Sequence, residues 1–429
     1  MMNQFYLLSL VIVKLHRILN VVVICWSFVI LCSTQAGDVK PRREKYLPDY
    51  RTYHNLTSIR EHIEMYVERA PQFMRVDYEF VSRQKYPQFL IHIYNSSAVD
   101  GATTPPRILF SYGEHAREFF PVESMLDFLR RISHGLSTKN SVHRRFARNV
   151  VNKVDLFIVG IVNPDGRRHI ENTGNYCWRG TSSGVDINRN FDWNFAGEGS
   201  SNDKTDEEYR GPHAFSEPEC FVLRDLTVRY KFDAFFSFHS GIKQIYLPFA
   251  DTVSRKTHRV RENDILLKDL AQKISKSTIH ELKYGQAYDL NDYTADGTVF
   301  DFMAGVRHIP FSYAIEMWGI GDKPNIQCFD LFNPPSFDLR KSLKEMQPIY
   351  DTIFEYLIKW KRNHLFENVR GVQGSSHSLT YTGVFLLTSL LMLIYILRNV
   401  LRHQNCLRFY PQRRIISLRS LSSTFALSK

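Results

Sequence analysis

The sequence predicts an α/β domain with a mixed, largely parallel central sheet flanked by helices, followed by one C-terminal transmembrane helix. Short apolar runs, typical of buried strands, lie at 107–113 (RILFSYG), 154–162 (VDLFIVGIV), 233–240 (DAFFSFHS) and 310–317 (PFSYAIEM). Amphipathic stretches, typical of helices that cover a sheet, lie at 58–70, 119–133 and 217–230. Because buried strands alternate with such helices, we predict the α/β class.

The transmembrane helix is predicted from an uncharged apolar stretch between Tyr381 and Leu397, which continues past Arg398 to Leu401. This length is at the short end of a helical membrane span, and an arginine near the end of a span can snorkel. We therefore predict a linker over 367–380, a transmembrane helix over 381–401 and a basic tail over 402–429. A buried core helix and a glycolipid anchor signal are alternatives; the polar linker disfavours the first and the basic tail disfavours the second.

The N-terminus is predicted to be a signal peptide over residues 1–36, with a retained signal anchor as the alternative. An apolar run from Asn20 to Cys32 follows two basic residues, and TQA at 34–36 is typical of a cleavage site. The basic tail belongs in the cytoplasm by the positive-inside rule, which places the domain at 45–366 on the other side of the membrane. The sequence thus predicts a single-pass type I membrane protein with an extracellular or lumenal domain.

The net charge of +11 is a feature of nucleic-acid-binding proteins, but its distribution argues against that class. Residues 398–429 hold seven Lys or Arg and no acidic residue, and residues 1–36 hold two more basic residues and no acid. The chain between these ends is close to neutral. We therefore expect no nucleic-acid partner, although the tail arginines are placed to contact anionic lipid head groups.

Sequons and cysteines agree with a compartment outside the cytosol. Sequons at Asn55 and Asn95 predict glycosylation. Three cysteines fall in the domain, and an oxidising compartment allows one disulfide with one cysteine left over. Cys220 lies in a predicted helix, where cysteine packs as a small hydrophobe. We therefore predict a disulfide between Cys177 and Cys328.

Candidate metal ligands follow two of the predicted strands. His115 and Glu118 stand three residues apart after the strand at 107–113, a spacing that brings two zinc-binding groups onto one turn. A lone His-x-x-Glu is common by chance, and a lone histidine at a strand end is more often structural. His239, at the end of 233–240, completes a His-Glu-His set. The set predicts a site for one Zn²⁺, and the same ligands would accept cobalt.

Other polar residues of this region have types suited to hydrolysis. Glu316 ends an almost wholly apolar strand, where a carboxylate is costly without a task or a partner. A general base for an attacking water is one interpretation, and a buried ion pair is the other. Arg179 is suited to stabilise an oxyanion, and Asn188 with Arg189 is suited to hold a terminal carboxylate.

Taken together, these segments resemble the zinc carboxypeptidases of the carboxypeptidase A/B type, in the family's order and over about residues 50–366. The matching segments are GEHARE, NPDG, WRG, GVDINRNFDWNF, YRGPHAFSEPE, FFSFHS, YTADGTVFD and the strand that ends at Glu316. The resemblance implies a catalytic domain over 45–366 that hydrolyses the C-terminal peptide bond of peptides and proteins. It implies His115, Glu118 and His239 as zinc ligands, and we expect the protein to be a monomer.

The resemblance also implies a role for each polar residue around the metal. Arg179 resembles the arginine that polarises the scissile carbonyl, and Glu316 resembles the general base. Asn188 and Arg189 resemble the pair that binds the C-terminal carboxylate. Tyr293 resembles the mobile tyrosine that closes over that carboxylate.

Some features depart from the digestive members of that family. Gly241 stands where they carry a tyrosine, so one subsite wall is expected to be more open. Phe300 falls where the family sets its side-chain preference, and an aromatic residue there predicts apolar or aromatic C-terminal residues. We expect neither the long inhibitory pro-domain of digestive zymogens nor the β-sandwich domain of the regulatory subfamily.

Two other functional classes remain as alternatives. One is a non-catalytic receptor or peptide-binding ectodomain; pseudoenzymes usually lose a ligand or the base, and none is lost here. The other is a zinc amidohydrolase that acts on small acyl amino acids. Asn188, Arg189 and Tyr293 favour peptide C-termini over that substrate class.

Overall fold

The computed structural model describes residues 47–95, 104–139, 141–320 and 328–406, without the side chains of 141, 365–384 and 402–406. The predicted signal segment at 1–36 lies outside the described residues, as does the tail beyond residue 406. The predictions made for those segments therefore stay predictions.

One mixed sheet of eight strands organises the domain. The strands are β1 (Met74–Asp77), β2 (Leu90–Ile93), β3 (Arg107–Tyr112), β4 (Asp155–Val159), β5 (Ala234–His239), β6 (Gln244–Leu247), β7 (Lys283–Gln286) and β8 (Phe311–Glu316). Their order in the sheet is β1-β2-β4-β3-β5-β8-β6-β7. The four central strands, β4, β3, β5 and β8, are parallel, whereas β2 and β6 join them antiparallel. The predicted mixed α/β fold is confirmed, with its parallel pairing concentrated at the centre of the sheet.

Helices lie along the chain between these strands. They are α1 (Leu56–Glu68), α2 (Phe119–Ser137), α3 (Ser141–Lys153), α4 (Pro164–Thr173), α5 (Phe221–Arg229), α6 (Thr252–Thr257), α7 (Asp264–Ser277), α8 (Ala287–Leu290), α9 (Val299–Gly305), α10 (Cys328–Phe332) and α11 (Leu339–Cys406). Short 3₁₀ helices span Ile187–Arg189 and Pro218–Cys220.

Each face of the sheet has its own apolar core. Side chains alternate along a strand, so Leu109 and Phe235 face one core while their neighbours Phe110 and Phe236 face the other. Helices α1, α2, α3, α7 and α11 contribute to the core at Phe110, and α5 and α9 contribute to the core at Leu109. Because both faces are covered, every residue of β5 is buried, which explains its unbroken apolar run.

The carboxyl ends of the parallel strands place the predicted site residues side by side. In the register of β5 with β8, His239 lies opposite Glu316. The chain that leaves β3 at Tyr112, opposite Phe238 of β5, leads directly to His115. Ligands of open α/β sheets bind beyond such strand ends, so this edge is where a site is expected.

Cys177 and Cys328, the two cysteines paired in the sequence analysis, form a disulfide with a sequence separation of 151 residues, and Cys220 is free and buried. A cross-link that closes a long loop reduces the conformational freedom of the unfolded chain. We expect the Cys177→Ser, Cys328→Ser double variant to lose about 2–5 kcal/mol of unfolding free energy. Urea unfolding followed by circular dichroism checks this, and an unchanged midpoint would contradict it.

The chain divides into two units, the first ending at Lys361 and the second beginning at Arg362. The predicted linker at 367–380 is helical and belongs to α11. Among the described residues, no helix is both long enough and apolar enough to cross a membrane. The predicted transmembrane helix at 381–401 is therefore not found, and residues 381–384 of that segment have no described side chains.

Candidate active site

The loop between β3 and α2 carries two of the predicted ligands. Gly113 ends the strand with φ +67°, and a Cβ there would come within 3.1 Å of Ile161, so the turn requires glycine. Glu118 occupies the position before α2, yet its side chain makes no capping hydrogen bond. Instead Asn333 Oδ1 accepts hydrogen bonds from the first two backbone N–H groups of α2. The Glu118 carboxylate is thereby left to point into the site.

Three potential metal ligands converge at this edge of the sheet. Atoms of His115, Glu118 and His239 lie within 4.8 Å of one another, and all three side chains are buried. His115 Nδ1 lies 2.6 Å from Glu118 Oε1, and His239 Nδ1 lies 3.0 Å from Glu118 Oε2. Two imidazole nitrogens and one carboxylate are a donor set that zinc accepts.

The surroundings of the two imidazoles test whether a metal ion fits. Each ring lies between Glu118 at Nδ1 and a second carboxylate at Nε2: Asp186 Oδ1 at 3.3 Å from His115, and Glu114 Oε2 at 2.7 Å from His239. When the second carboxylate accepts the Nε2 proton, the Nδ1 lone pair faces the carboxylate of Glu118. A metal ion satisfies such converging lone pairs, so the residues present fit a metal ion.

Charges around Glu118 and His239 agree with a cation-binding centre. Burial raises the pKa of Glu118, but the charges and hydrogen bonds of the two imidazoles outweigh burial and hold that pKa well below its usual range. Burial lowers the pKa of His239, but the carboxylates of Glu114 and Glu118 outweigh it and raise that pKa well above its usual value. The centre is therefore rich in negative charge before any metal binds.

Glu316 lies at the end of β8 beside this centre, and its Oε2 is buried without a hydrogen-bond partner. Burial and the nearby charge of Glu118 raise the pKa of Glu316 to about 8. A bound cation would counter the charge of Glu118 and lower this pKa.

Arg179 is held by Asp186, a residue that the sequence analysis did not single out. Arg179 Nε donates to Asp186 Oδ2 at 2.9 Å, and Asp186 also accepts from the backbone N–H of Asn188 at 2.9 Å. Burial lowers the pKa of Arg179, but the charges of Asp186 and Glu118 outweigh burial and raise it. One buried aspartate thus orients Arg179 and the turn that carries Asn188, and its Oδ1 lies 3.3 Å from His115 Nε2.

The predicted carboxylate-binding pair lies on that same turn. Asn188 Oδ1 accepts from the backbone N–H of Val299 at 3.1 Å. Arg189 Nη2 donates to Glu208 Oε1 at 2.8 Å, although Arg189 is almost fully buried and the Glu208 side chain is 40% exposed. A carboxylate of the chain itself therefore already contacts the guanidinium predicted to bind a substrate carboxylate.

A pocket of about 100 Å³ brings the predicted site residues together. Its lining comprises His115, Arg179, Asn188, Arg189, His239, Tyr246, Ala250, Ala287, Asn291, Tyr293, Ala295, Thr298, Phe300, Ala314 and Glu316. Phe300 is buried in this lining, whereas Tyr293 is 58% exposed. Tyr246 donates to Asn291 Oδ1 at 2.9 Å, so a polar pair accompanies the apolar lining. Of the predicted ligands and catalytic residues, only Glu118 does not line the pocket.

The expectation of a more open subsite wall at Gly241 stays a prediction, because Gly241 does not line the pocket. A Cβ at Gly241 would lie 2.9 Å from the ring of Phe332, so that ring already occupies the space beside the glycine. The guanidinium of Arg117 stacks on the same ring at 4.3 Å from its centre. An aromatic side chain from α10 thus lies beside position 241, outside the lining of the pocket.

Three acidic residues near the site escaped the sequence analysis: Glu114, Asp186 and Glu208. Asp186 caps the short 3₁₀ helix that carries Asn188 and Arg189. Aspartate is a common capping residue, so the sequence could have predicted this role. Glu114 adjoins His115, but its partner His239 is 125 positions further along the chain. Glu208 contacts Arg189 across 19 positions. No local pattern predicts either of these last two contacts.

Predicted modification sites lie away from the pocket lining. Asn55 caps α1, with its Oδ1 accepting from the backbone N–H of Ser58 at 2.9 Å. Asn95 Nδ2 donates to Asn152 Oδ1 at 2.7 Å. The glycosylation of both asparagines stays a prediction.

Carboxypeptidases are among the known proteins that this chain resembles. Carboxypeptidase A1 of Rattus norvegicus is 29% identical over 285 residues, covering 64% of each chain, so this chain aligns with less than two thirds of that relative. Zinc carboxypeptidase A 1 of Anopheles gambiae is 28% identical over 232 residues, covering 51% of each chain. The crystal structure of carboxypeptidase A from Helicoverpa armigera superposes with a TM-score of 0.60 at 19% identity, covering 72% of this chain and 74% of that one, and shows a shared fold.

A family profile extends these pairwise matches. The zinc carboxypeptidase profile, peptidase family M14, matches residues 59–349, which include every strand of the sheet and all three potential metal ligands. The family is zinc-dependent, and the His115, Glu118 and His239 side chains fit that metal. The chain therefore belongs to the zinc carboxypeptidase family.

Proposed function

We propose that this protein is a metallocarboxypeptidase that hydrolyses the C-terminal peptide bond of peptides and proteins. The observation that carries the proposal is the shared pocket: the His115 and His239 ligands, the Glu316 carboxyl and the Arg179 and Arg189 guanidinium groups all line it. Such a pocket offers a metal site, a proton acceptor and two anion-binding groups within reach of one substrate. That combination suits cleavage of an amide bond next to a free carboxylate.

His115, Glu118 and His239 would hold the zinc ion. When bound, zinc supplies Lewis acidity that polarises a carbonyl and lowers the pKa of a bound water. Glu114 Oε2 lies 2.7 Å from His239 Nε2 and Asp186 Oδ1 lies 3.3 Å from His115 Nε2, so these carboxylates would favour Nδ1 as the nitrogen of each ring that holds the ion.

Glu316 is the proposed general base. Its unpartnered Oε2 accepts a proton from the water that attacks the scissile carbonyl, and the protonated carboxyl then donates that proton to the leaving amine. The leaving group must become a neutral amine, so this second transfer completes the cleavage. Burial keeps bulk water from competing for the proton.

Arg179 is proposed to donate to the carbonyl oxygen as it gains negative charge. The guanidinium is buried and fixed by Asp186, so it needs little reorganisation when the charge develops. Asn188 and Arg189 are proposed to bind the substrate's terminal carboxylate, which selects the last peptide bond. Tyr293, largely exposed at the pocket, is proposed to close over that carboxylate.

Phe300 and the alanines of the pocket favour an apolar or aromatic C-terminal side chain. No charged group is available in the lining to pair with a basic or acidic side chain except those assigned above. Apolar surface is stabilised when it leaves water for such a lining. Among the polar groups of the lining, the Tyr246 hydroxyl already donates a hydrogen bond to Asn291 Oδ1.

The proposed function is tested with a peptide library that carries free C-termini, read by mass spectrometry. Zinc-loaded protein should remove single C-terminal residues stepwise, with apolar and aromatic residues leaving first. Samples treated with a chelator, and a Glu316→Gln variant, should remove none. Absence of trimming by folded, zinc-loaded wild type would overturn the proposal and favour the peptide-binding ectodomain.

Replacing Arg189 by Gln should raise KM by about 10- to 100-fold, since a hydrogen bond to a charged group contributes about 1.5–3 kcal/mol. Peptides that end in an amide are the matched substrates, because they lack the carboxylate that Arg189 is proposed to bind. Wild type should discriminate strongly against the amides, and Arg189→Gln should discriminate much less. An unchanged ratio of kcat/KM for acid and amide would contradict this role.

We also propose the localisation and state that the sequence predicts: a monomeric, single-pass type I membrane protein with residues 45–366 extracellular or lumenal. Every large apolar side chain from Phe385 to Leu401 is exposed. An apolar surface of this size is typical of a segment that contacts a membrane or another protein. Resistance to alkaline extraction and glycan release from Asn55 and Asn95 would support the proposal. A protein released by alkaline extraction, or one without glycans, would contradict it.

A further inference from the structure

A second carboxylate, Glu114, is built into the site although it belongs neither to the potential ligands nor to the pocket lining. Its side chain is fully buried, and Glu114 Oε2 lies 2.7 Å from His239 Nε2. Burying a carboxylate is costly unless hydrogen bonds compensate for the lost water. The contacts of Glu114 therefore need an explanation.

Two serines hold this carboxylate in place. Ser111 Oγ donates to Glu114 Oε1 at 2.5 Å, and Ser237 Oγ donates to Glu114 Oε2 at 2.7 Å. Ser111 and Ser237 lie directly opposite each other in the parallel register of β3 with β5. The sheet thus presents two hydroxyls to one carboxylate, and His239 on β5 supplies a third donor.

These contacts decide which nitrogen of His239 carries the proton. Ser237 Oγ lies 2.6 Å from His239 Nε2, and because its own hydrogen goes to Glu114, its oxygen can accept from that nitrogen. Glu114 is a second acceptor at Nε2. The Asn188 amide also faces this nitrogen but lies farther away, at 3.2 Å. Two near acceptors place a proton on Nε2, so Nδ1 is the nitrogen that remains for a metal ion.

We propose that Glu114 is a positioning residue that fixes the tautomer and orientation of His239 and thereby sets the affinity of the site for zinc. This inference rests on the proposed metal site, and it adds a residue that influences zinc affinity without being a zinc ligand. Carboxylates that accept from the outer nitrogen of a ligand histidine raise metal affinity by about 10- to 100-fold. Glu114 would do for His239 what Asp186 does for His115.

The test replaces Glu114 by Gln in the full-length protein. Ser111, Ser237 and His239 all direct donors at Glu114, whereas a glutamine amide offers one oxygen and an NH₂ donor. That oxygen is also uncharged, so the hydrogen bond that it accepts from His239 is weaker than one to a carboxylate. We expect the dissociation constant for zinc, measured by competition with a chromophoric chelator, to rise by about 10- to 100-fold. The visible spectrum of the cobalt-loaded protein should also change, because one ligand imidazole is no longer fixed.

Ser111→Ala is the matched control, since Ser111 contacts only the oxygen of Glu114 that points away from His239. Its zinc affinity should stay within about threefold of wild type, well below the range expected for loss of the outer carboxylate. Thermal unfolding of the metal-free proteins shows whether each variant folds. If Glu114→Gln does not fold, Glu114→Asp, which withdraws the carboxylate by one methylene, should weaken zinc binding in the same direction.

Three results decide the inference. Zinc affinity of folded Glu114→Gln, or of Glu114→Asp in its place, within twofold of wild type would overturn it. An equal loss in Ser111→Ala would also overturn it, because a general packing defect would then explain the change. If wild type itself binds no zinc, the proposed function and this inference both fail; if wild type binds zinc and trims peptides, only the role of Glu114 is at stake.

Discussion

Glu316→Gln is expected to lower kcat by about 10²- to 10⁴-fold, the contribution of a positioned acid–base group, with little change in KM. The glutamine amide keeps the shape of the side chain but cannot accept the proton from the attacking water. The Glu316 carboxyl lies beside the potential ligands with an unpartnered oxygen, so its loss should affect the chemical step and not substrate binding. Steady-state kinetics on one peptide at saturating zinc measure the change.

Glu219→Gln is the matched control for this variant. Glu219 is also a buried glutamate with an unpartnered Oε2, and burial raises its pKa to about 7, yet it does not line the pocket. Its replacement should leave kcat within a few-fold of wild type. If Glu219→Gln and Glu316→Gln lose activity equally, removal of any buried carboxyl would explain the result. That outcome would contradict the role of Glu316 as general base.

Arg179→Gln is expected to lower kcat by about 10²- to 10³-fold, the usual effect of removing one donor to a developing oxyanion. Asp186 holds Arg179 in place by a hydrogen bond. Among the described residues that line the pocket, the other arginine is Arg189, and it already contacts Glu208. Binding of a ground-state peptide should change less than kcat, because the charge on the carbonyl oxygen develops only during reaction.

A control for Arg179→Gln is Arg131→Gln, which removes a largely buried arginine paired with Asp351 away from the pocket lining. Zinc content measured in both variants separates loss of metal from loss of the donor. A kcat for Arg179→Gln within fivefold of wild type, at full zinc content, would contradict the proposed role.

The sequence predicted the centre of the sheet better than its edges. The four central strands carry continuous apolar runs because helices cover both of their faces, so composition alone marks them. The strands β1, β2, β6 and β7 have only four residues each. Such short segments carry too little pattern to be recognised, and their pairing depends on neighbours distant in sequence.

The same distinction between local and distant contacts applies to the site. His115, His239 and Glu316 could be identified because each polar residue ends or closely follows an apolar strand, and parallel strands end at one edge. Glu114, Glu208 and Phe332 could not, since their importance comes from partners that only the tertiary structure brings near. The sequence therefore identified groups suited to the chemistry, whereas the structure was needed to find the residues that contact and orient those groups.

The contact between Glu208 and Arg189 affects the free energy that a substrate carboxylate gains when it binds at this site. A substrate carboxylate that reaches Arg189 does not meet a bare cation; it exchanges with a carboxylate already 2.8 Å away. The number of ion pairs is the same before and after, but the Glu208 side chain is 40% exposed, so giving up its contact offsets only a small part of what the substrate carboxylate gains. Under the proposed function, selectivity for free C-termini then reflects a competition between an internal and an external anion. The internal one is always present at the effective concentration of a tethered group.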